Sequence, residues 1–164
     1  YDMATAYYRI THDAIRRYDK NHLILGDRYE AGRPIAAEVV EAAKPFVDVL
    51  SFQHFAKPDA VCENLTRWHE VTGKPVLLAD HAISIKGPDG YMRHDGAAYA
   101  ETLRRLREVP GCIGYHLCGA YLRNETRKRA LRDAGERPDE EAIRAMTHAN
   151  HEADEWMAAA REES

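Results

Sequence analysis

The sequence has few cysteines, no excess of one charge and no long hydrophobic run. Its three cysteines, Cys62, Cys112 and Cys118, form no CxxC pair. They therefore predict reduced thiols, which a reducing cytoplasm favours, rather than a disulfide framework or a zinc site. The 23 Lys and Arg residues against 27 Asp and Glu give a net charge of −4, which argues against nucleic-acid binding. No window approaches the ~18 consecutive apolar residues of a membrane span.

The composition is that of a folded globular protein. Hydrophobic residues make up 45% of the 164 residues and charged residues 30%, which excludes a disordered chain. The sequence opens on Tyr1, already within a helical pattern, and not on a methionine. We therefore expect residues 1–164 to form a single partial domain, with further chain upstream. Any leader would lie there too, so the localisation is not predicted.

Apolar runs alternate with amphipathic segments along the chain. Helical spacing marks residues 1–18, and short apolar runs predict strands at 23–26, 47–52, 75–79 and 112–116. Helices are predicted at 34–43, 58–72, 94–109 and 140–160, with loops at 86–90 and 123–139. This order is one helix followed by four strand–helix units, which implies an α/β fold with parallel strands and right-handed connections.

Four such units amount to half of a (β/α)8 barrel. An open doubly wound sheet is the other architecture with this order. No GxGxxG or GxxxxGK[ST] motif follows any strand, which disfavours its nucleotide-binding versions. We expect five aromatic residues to serve helix packing alone: Tyr7, Tyr8, Tyr18, Trp68 and Trp156.

Each predicted strand ends in polar side chains. These are Asp27 and Arg28, then Gln53 and His54, then Asp80 and His81, and finally His116 with Tyr121 just beyond. Both architectures place their working site at the carboxyl ends of the strands. Asp80 is the strongest candidate for a functional residue, because an unpaired carboxylate on a buried strand costs several kcal/mol. Its structural alternative is an N-cap or a partner for Arg28.

Four segments resemble, in order, the last four strands of clan-A glycoside hydrolases of the agarase and β-galactosidase-like kind. They are RRYDKNHLILGDRY (16–29), FVDVLSFQHF (46–55), GKPVLLADHA (73–82) and GCIGYHLCGAY (111–121). Residues 130–150 resemble the closing loop and last helix of those enzymes. The resemblance implies the C-terminal half of a (β/α)8 barrel, with strands equivalent to 5–8, from an enzyme that hydrolyses O-glycosidic bonds.

The resemblance also implies roles for the strand-end residues. Asp80 stands in the nucleophile or base position, where relatives carry Glu, and its carboxylate sits roughly 1.5 Å further back. The acid/base carboxylate follows the fourth strand in that family, so we expect it upstream of this chain. The implied substrate-binding residues are Asp27, Arg28, Gln53, His54, His81, His116 and Tyr121. No cofactor or metal is implied, and Leu117 replaces a tryptophan of the family.

Two other functions are compatible with the same residues. Asp27, His54, Asp80, His81 and His116 are ligand types that a metal-dependent hydrolase could use. A non-catalytic carbohydrate-binding barrel is the other possibility, and Asp80 in place of Glu fits it. In each case a half-barrel leaves two sheet edges unpaired. The expected partners are therefore a carbohydrate and either the missing barrel half or a second copy in a homodimer.

Overall fold

The computed structural model describes residues 1–87, 90, 92–119, 130–133 and 135–162. The helices are α1 (Asp2–Tyr18), α2 (Ala37–Ala43), α3 (Pro58–Thr72), α4 (Gly96–Leu106) and α5 (Glu140–Glu162). The strands are β1 (Arg28–Glu30), β2 (Leu50–Gln53), β3 (Val76–His81), β4 (Ser84–Lys86), β5 (Met92–His94) and β6 (Cys112–Leu117). No helix in these ranges is long and apolar enough to cross a membrane.

The main sheet has the strand order β1-β2-β3-β6, and every neighbouring pair is parallel. Parallel neighbours need a crossover, and α2, α3 and α4 lie between successive strands of this sheet. The predicted (βα)4 half-barrel with one preceding helix is therefore confirmed. It places the carboxyl ends of all four strands at one edge.

The hydrophobic core lies between one face of this sheet and the helices. Phe52 on β2 stacks on Trp68 of α3 with ring centroids 6.3 Å apart, and both side chains are buried. Tyr8 on α1 belongs to the same core. The prediction that Tyr7 and Tyr18 also pack inside is wrong, because 51% and 86% of these residues are exposed. Only one side of α1 faces the core.

The first strand differs most from its prediction. The apolar run 23–26 is not a strand, and β1 begins at Arg28. Gly26 has a φ of +64°, which ends the extended conformation just before β1. The carbonyl of Ile24 still accepts hydrogen bonds from the backbone N–H groups of Asp48 and Val49. The run therefore packs against the segment that leads into β2, which itself begins at Leu50 and not at residue 47.

Three further boundaries also differ. The predicted loop at 86–90 is flanked by an antiparallel hairpin, β4 with β5, in which Ser84 pairs with His94. Helix α4 begins at Gly96 because the Asp95 side chain accepts a hydrogen bond from the backbone N–H of Ala98 at 2.9 Å, a normal N-cap. Helix α2 begins at Ala37, not at Pro34. Much of the predicted 123–139 loop, and Tyr121, lie outside the described residues.

Candidate active site

The candidate site is built on three neighbouring strands at the carboxyl edge of the sheet. In the strand register Glu30 lies opposite Gln53, and Gln53 lies opposite Asp80. A register shift after Phe52 brings Gln53 opposite Asp80. Adjacent side chains of a strand point to opposite faces. Since Phe52 packs into the core, Gln53 and the row it belongs to lie on the face away from the helices.

Asp80 is held by an ion pair that crosses the sheet. The Nη1 atom of Arg28 lies 3.0 Å from the Oδ2 atom of Asp80. The side chain of Asp80 is only 15% exposed, whereas that of Arg28 is 53% exposed. A paired carboxylate avoids the penalty of an isolated buried charge. The pair therefore explains how β3 carries an aspartate at this position, and it fixes where that carboxylate sits.

Glu30 and Gln53 form the second contact of the site. The Gln53 Nε2 atom donates a hydrogen bond to the Glu30 Oε2 atom at 2.5 Å. The other Glu30 oxygen accepts one from the backbone N–H of Gly32 at 2.9 Å. Glu30 was not among the predicted site residues. Glu30 lies two residues after Arg28, so the two side chains point to the same face of β1. The sequence would show this only if the strand were known to begin at Arg28.

His54 lies at the same edge, directly after β2. Its backbone N–H donates to the carbonyl of Asp80 at 3.1 Å. Its Nδ1 atom is buried and has no hydrogen-bond partner among the described residues. Burial lowers the pKa of His54, and the Glu30 carboxylate opposes that shift. A neutral imidazole near Glu30 can donate to or accept from a ligand hydroxyl.

His81 and His116 take different positions. His81 is fully buried, with Nδ1 3.0 Å from the Tyr115 hydroxyl and Nε2 3.0 Å from the carbonyl oxygen of Ala56. Because a carbonyl only accepts, Nε2 carries the proton. These contacts tie β3 to β6 and to the loop after β2, so they direct the His81 imidazole toward Tyr115 and Ala56. His116 is exposed on β6.

Asp27 turns toward α1 and not toward Arg28. Its carboxylate accepts hydrogen bonds from the hydroxyls of Tyr7 at 3.1 Å and Tyr8 at 2.9 Å. The Tyr8 hydroxyl also lies 3.0 Å from that of Tyr29. Burial, and then the contacts with Tyr29 and Asp27, raise the pKa of Tyr8 far above its usual range. The structure therefore places Asp27 in a network that anchors α1 to β1.

A metal site finds no support in the described ranges. No three His, Cys, Asp or Glu side chains there lie close enough together to hold a metal ion. Two of the five candidate ligands that the sequence offered have other contacts. Asp27 faces the tyrosines of α1, and His81 is committed to Tyr115 and Ala56.

Comparison with known proteins shows the fold. No family model and no curated protein matches this sequence. Among solved structures, an exo-beta-agarase matches with a TM-score of 0.76 and 21% identity over 90% of this chain and 22% of its own. A second agarase matches with a TM-score of 0.76 and 17% identity, over 90% of this chain and 23% of its own.

A beta-glucuronidase from an uncultured Clostridium sp. matches with a TM-score of 0.60 and 17% identity, over 90% of this chain and 30% of its own. This chain thus spans less than a third of the length of these enzymes. The resemblance to glycoside hydrolases seen in the sequence is therefore confirmed at the level of the fold. The chain has the fold of one part of these enzymes.

Proposed function

We propose that this chain is the C-terminal half of a (β/α)8 barrel that hydrolyses O-glycosidic bonds in oligosaccharides or polysaccharides. The observation that carries the proposal is the position of Asp80. It is the last residue but one of β3, the third strand of the parallel sheet. It is paired with Arg28 and lies at the edge where barrel enzymes build their sites. The fold likeness to two agarases and a beta-glucuronidase supports this chemistry.

In this proposal Asp80 is the nucleophile or the base. It attacks the anomeric carbon or activates a water, while a second carboxylic acid protonates the leaving oxygen. That acid belongs to the N-terminal half-barrel, which we place upstream of Tyr1. Arg28 fixes the position of the Asp80 carboxylate, and Gln53 and His54 bind sugar hydroxyls. The chemistry calls for no cofactor.

The test uses the longer polypeptide that includes the sequence upstream of this chain. We expect it to release reducing sugar from β-linked galactans or glucans, and Asp80→Asn to lower the rate by about 10²–10⁴-fold. Asp154→Asn, an exposed position on α5, is the matched control and keeps the rate. Full activity in Asp80→Asn would overturn the role of Asp80. An upstream sequence without a strand-ending carboxylate would overturn the two-carboxylate mechanism.

A non-catalytic carbohydrate-binding barrel is the second candidate. The Arg28–Asp80 ion pair favours it, because an aspartate committed to a structural partner needs no catalytic role. In that case the longer polypeptide binds the polysaccharide and releases no reducing sugar. Asp80→Asn would then alter the stability of the protein and leave its hydrolytic rate at background.

A further inference from the structure

We propose that Glu30 determines specificity at this site: it admits neutral sugars, which bind through their hydroxyls, and disfavours sugars that carry a carboxylate. This inference rests on the proposed carbohydrate function and names the substrate class. It is carried by the row Glu30–Gln53–Asp80, in which the three residues are in register on adjacent strands. Strands are ~4.8 Å apart, so Glu30 lies roughly 10 Å from Asp80 along that row.

The contact with Glu30 fixes the orientation of the Gln53 amide. An ionised carboxylate only accepts hydrogen bonds, so Gln53 must turn its NH₂ group toward Glu30. Its Oε1 atom is then left as an acceptor to which no described residue donates a hydrogen bond, and the second N–H of the amide remains a donor. Glu30, with its negative charge, and the Oε1 atom of Gln53 therefore present acceptors. Sugar hydroxyls can donate to them, whereas a sugar carboxylate has no proton to donate.

The charges around the row Glu30–Gln53–Asp80 also favour a neutral sugar over an acidic one. Arg28, the cation on the same face of β1 as Glu30, is engaged by Asp80 at 3.0 Å. His54 adds no positive charge at neutral pH, because burial lowers its pKa. The negative charge of Glu30 is thus left without an ion-pair partner among the described residues, and it repels a second anion placed beside it.

The experiment titrates the longer polypeptide that includes the sequence upstream of this chain with two methyl glycosides that differ only at C6. They are methyl β-D-galactopyranoside and the corresponding methyl galactosiduronate, each followed by NMR on the backbone amides of Gln53 and His54. We expect the wild type to bind the neutral glycoside about tenfold more tightly, a difference of about 1.4 kcal/mol. Glu30→Gln keeps an acceptor for the Gln53 amide and removes the charge, so it should bring the ratio close to one.

Two further variants isolate the effect of Glu30. Glu30→Asp keeps the negative charge and should retain the preference for the neutral glycoside. Glu38→Gln, an exposed glutamate on α2, removes one negative charge elsewhere and should leave the ratio unchanged. Circular dichroism of each variant should superimpose on the wild type, because both positions are exposed.

The outcomes separate this inference from the proposed function. Equal binding of the two glycosides by the wild type, a preference for the uronate, or a ratio that Glu30→Gln leaves unchanged would overturn the role of Glu30. Each of those results would still show a carbohydrate site. Binding of neither glycoside by any of the four proteins would count against the carbohydrate function and overturn this inference with it.

Discussion

His54 is a histidine whose charged form the fold disfavours. Burial lowers its pKa below the ordinary 6.5, and the Glu30 carboxylate opposes this shift. Because the folded-state pKa lies below that of the unfolded chain, the folded protein binds fewer protons in that range. The stability contributed by neutral His54 is therefore present above about pH 6.5 and is lost as the pH falls toward the lowered folded-state value.

We therefore expect His54→Gln to reduce the loss of stability between pH 7 and lower pH, since glutamine does not titrate. The measurement is the free energy of unfolding in urea at a series of pH values. His151→Gln, an exposed residue on α5, is the control and should keep the wild-type pH dependence. A His54 titration midpoint at or above 6.5, followed by NMR, would contradict the expected direction.

At the level of single residues, position along the chain predicted only part of the site. Gln53 and Asp80 directly follow apolar runs, so their place at the sheet edge could be derived from the sequence. The roles of Asp27 and Glu30 could not be derived from the sequence. They depend on the phase of β1, that is, on which of its residues point to which face of the sheet. That phase is set by the turn at Gly26 and by the contact of Tyr8 with Asp27, which no local pattern encodes.

Two glycines at element ends have the same backbone conformation and different surroundings. Gly26 precedes β1 with a φ of +64°, and Gly73 ends α3 with a φ of +67°. A Cβ atom on Gly26 would lie 2.7 Å from the Cγ1 atom of Val47, whereas a Cβ on Gly73 would meet nothing within 4 Å. Gly26 thus combines a left-handed turn with close packing, and Gly73 is a turn alone.

We expect Gly73→Ala to destabilise the chain by about 1–2 kcal/mol, the cost of the left-handed conformation for alanine. Gly26→Ala should cost about 1–3 kcal/mol more, because the new methyl group also collides with Val47. Urea unfolding of the two variants gives the comparison, and each serves as the control of the other. Equal losses would show that Val47 moves aside without cost.

At the level of elements, helices were predicted better than strands. The bounds of α3 follow from Pro58 at its first turn and Gly73 at its end, and both signals are local. The β4–β5 hairpin has three-residue strands, too short for a visible alternation. Its pairing joins Ser84 to His94 across the intervening segment, a contact that local sequence does not show.

At the level of the whole molecule, the sheet ends in two edges. Within the described ranges β1 pairs only with β2, and β6 pairs only with β3. Beside β6 lies a groove of about 540 Å³ with mostly apolar walls between α4, β6 and α5. Ile113 on β6 and Met157 on α5 line it and are 51% and 53% exposed. A closed barrel would cover both edges.

We therefore predict that the isolated chain dimerises or is poorly soluble, because unpaired strand edges and exposed apolar residues promote association. Light scattering after size-exclusion chromatography, over a range of concentrations, measures the mass. Ile113→Lys places a charge on the β6 edge and should shift the equilibrium toward monomer. Ile10→Lys, on an exposed position of α1, is the control and should leave it unchanged. A monodisperse monomer at every concentration would contradict the proposal that this sheet is half of a barrel, because its edges would then need no partner.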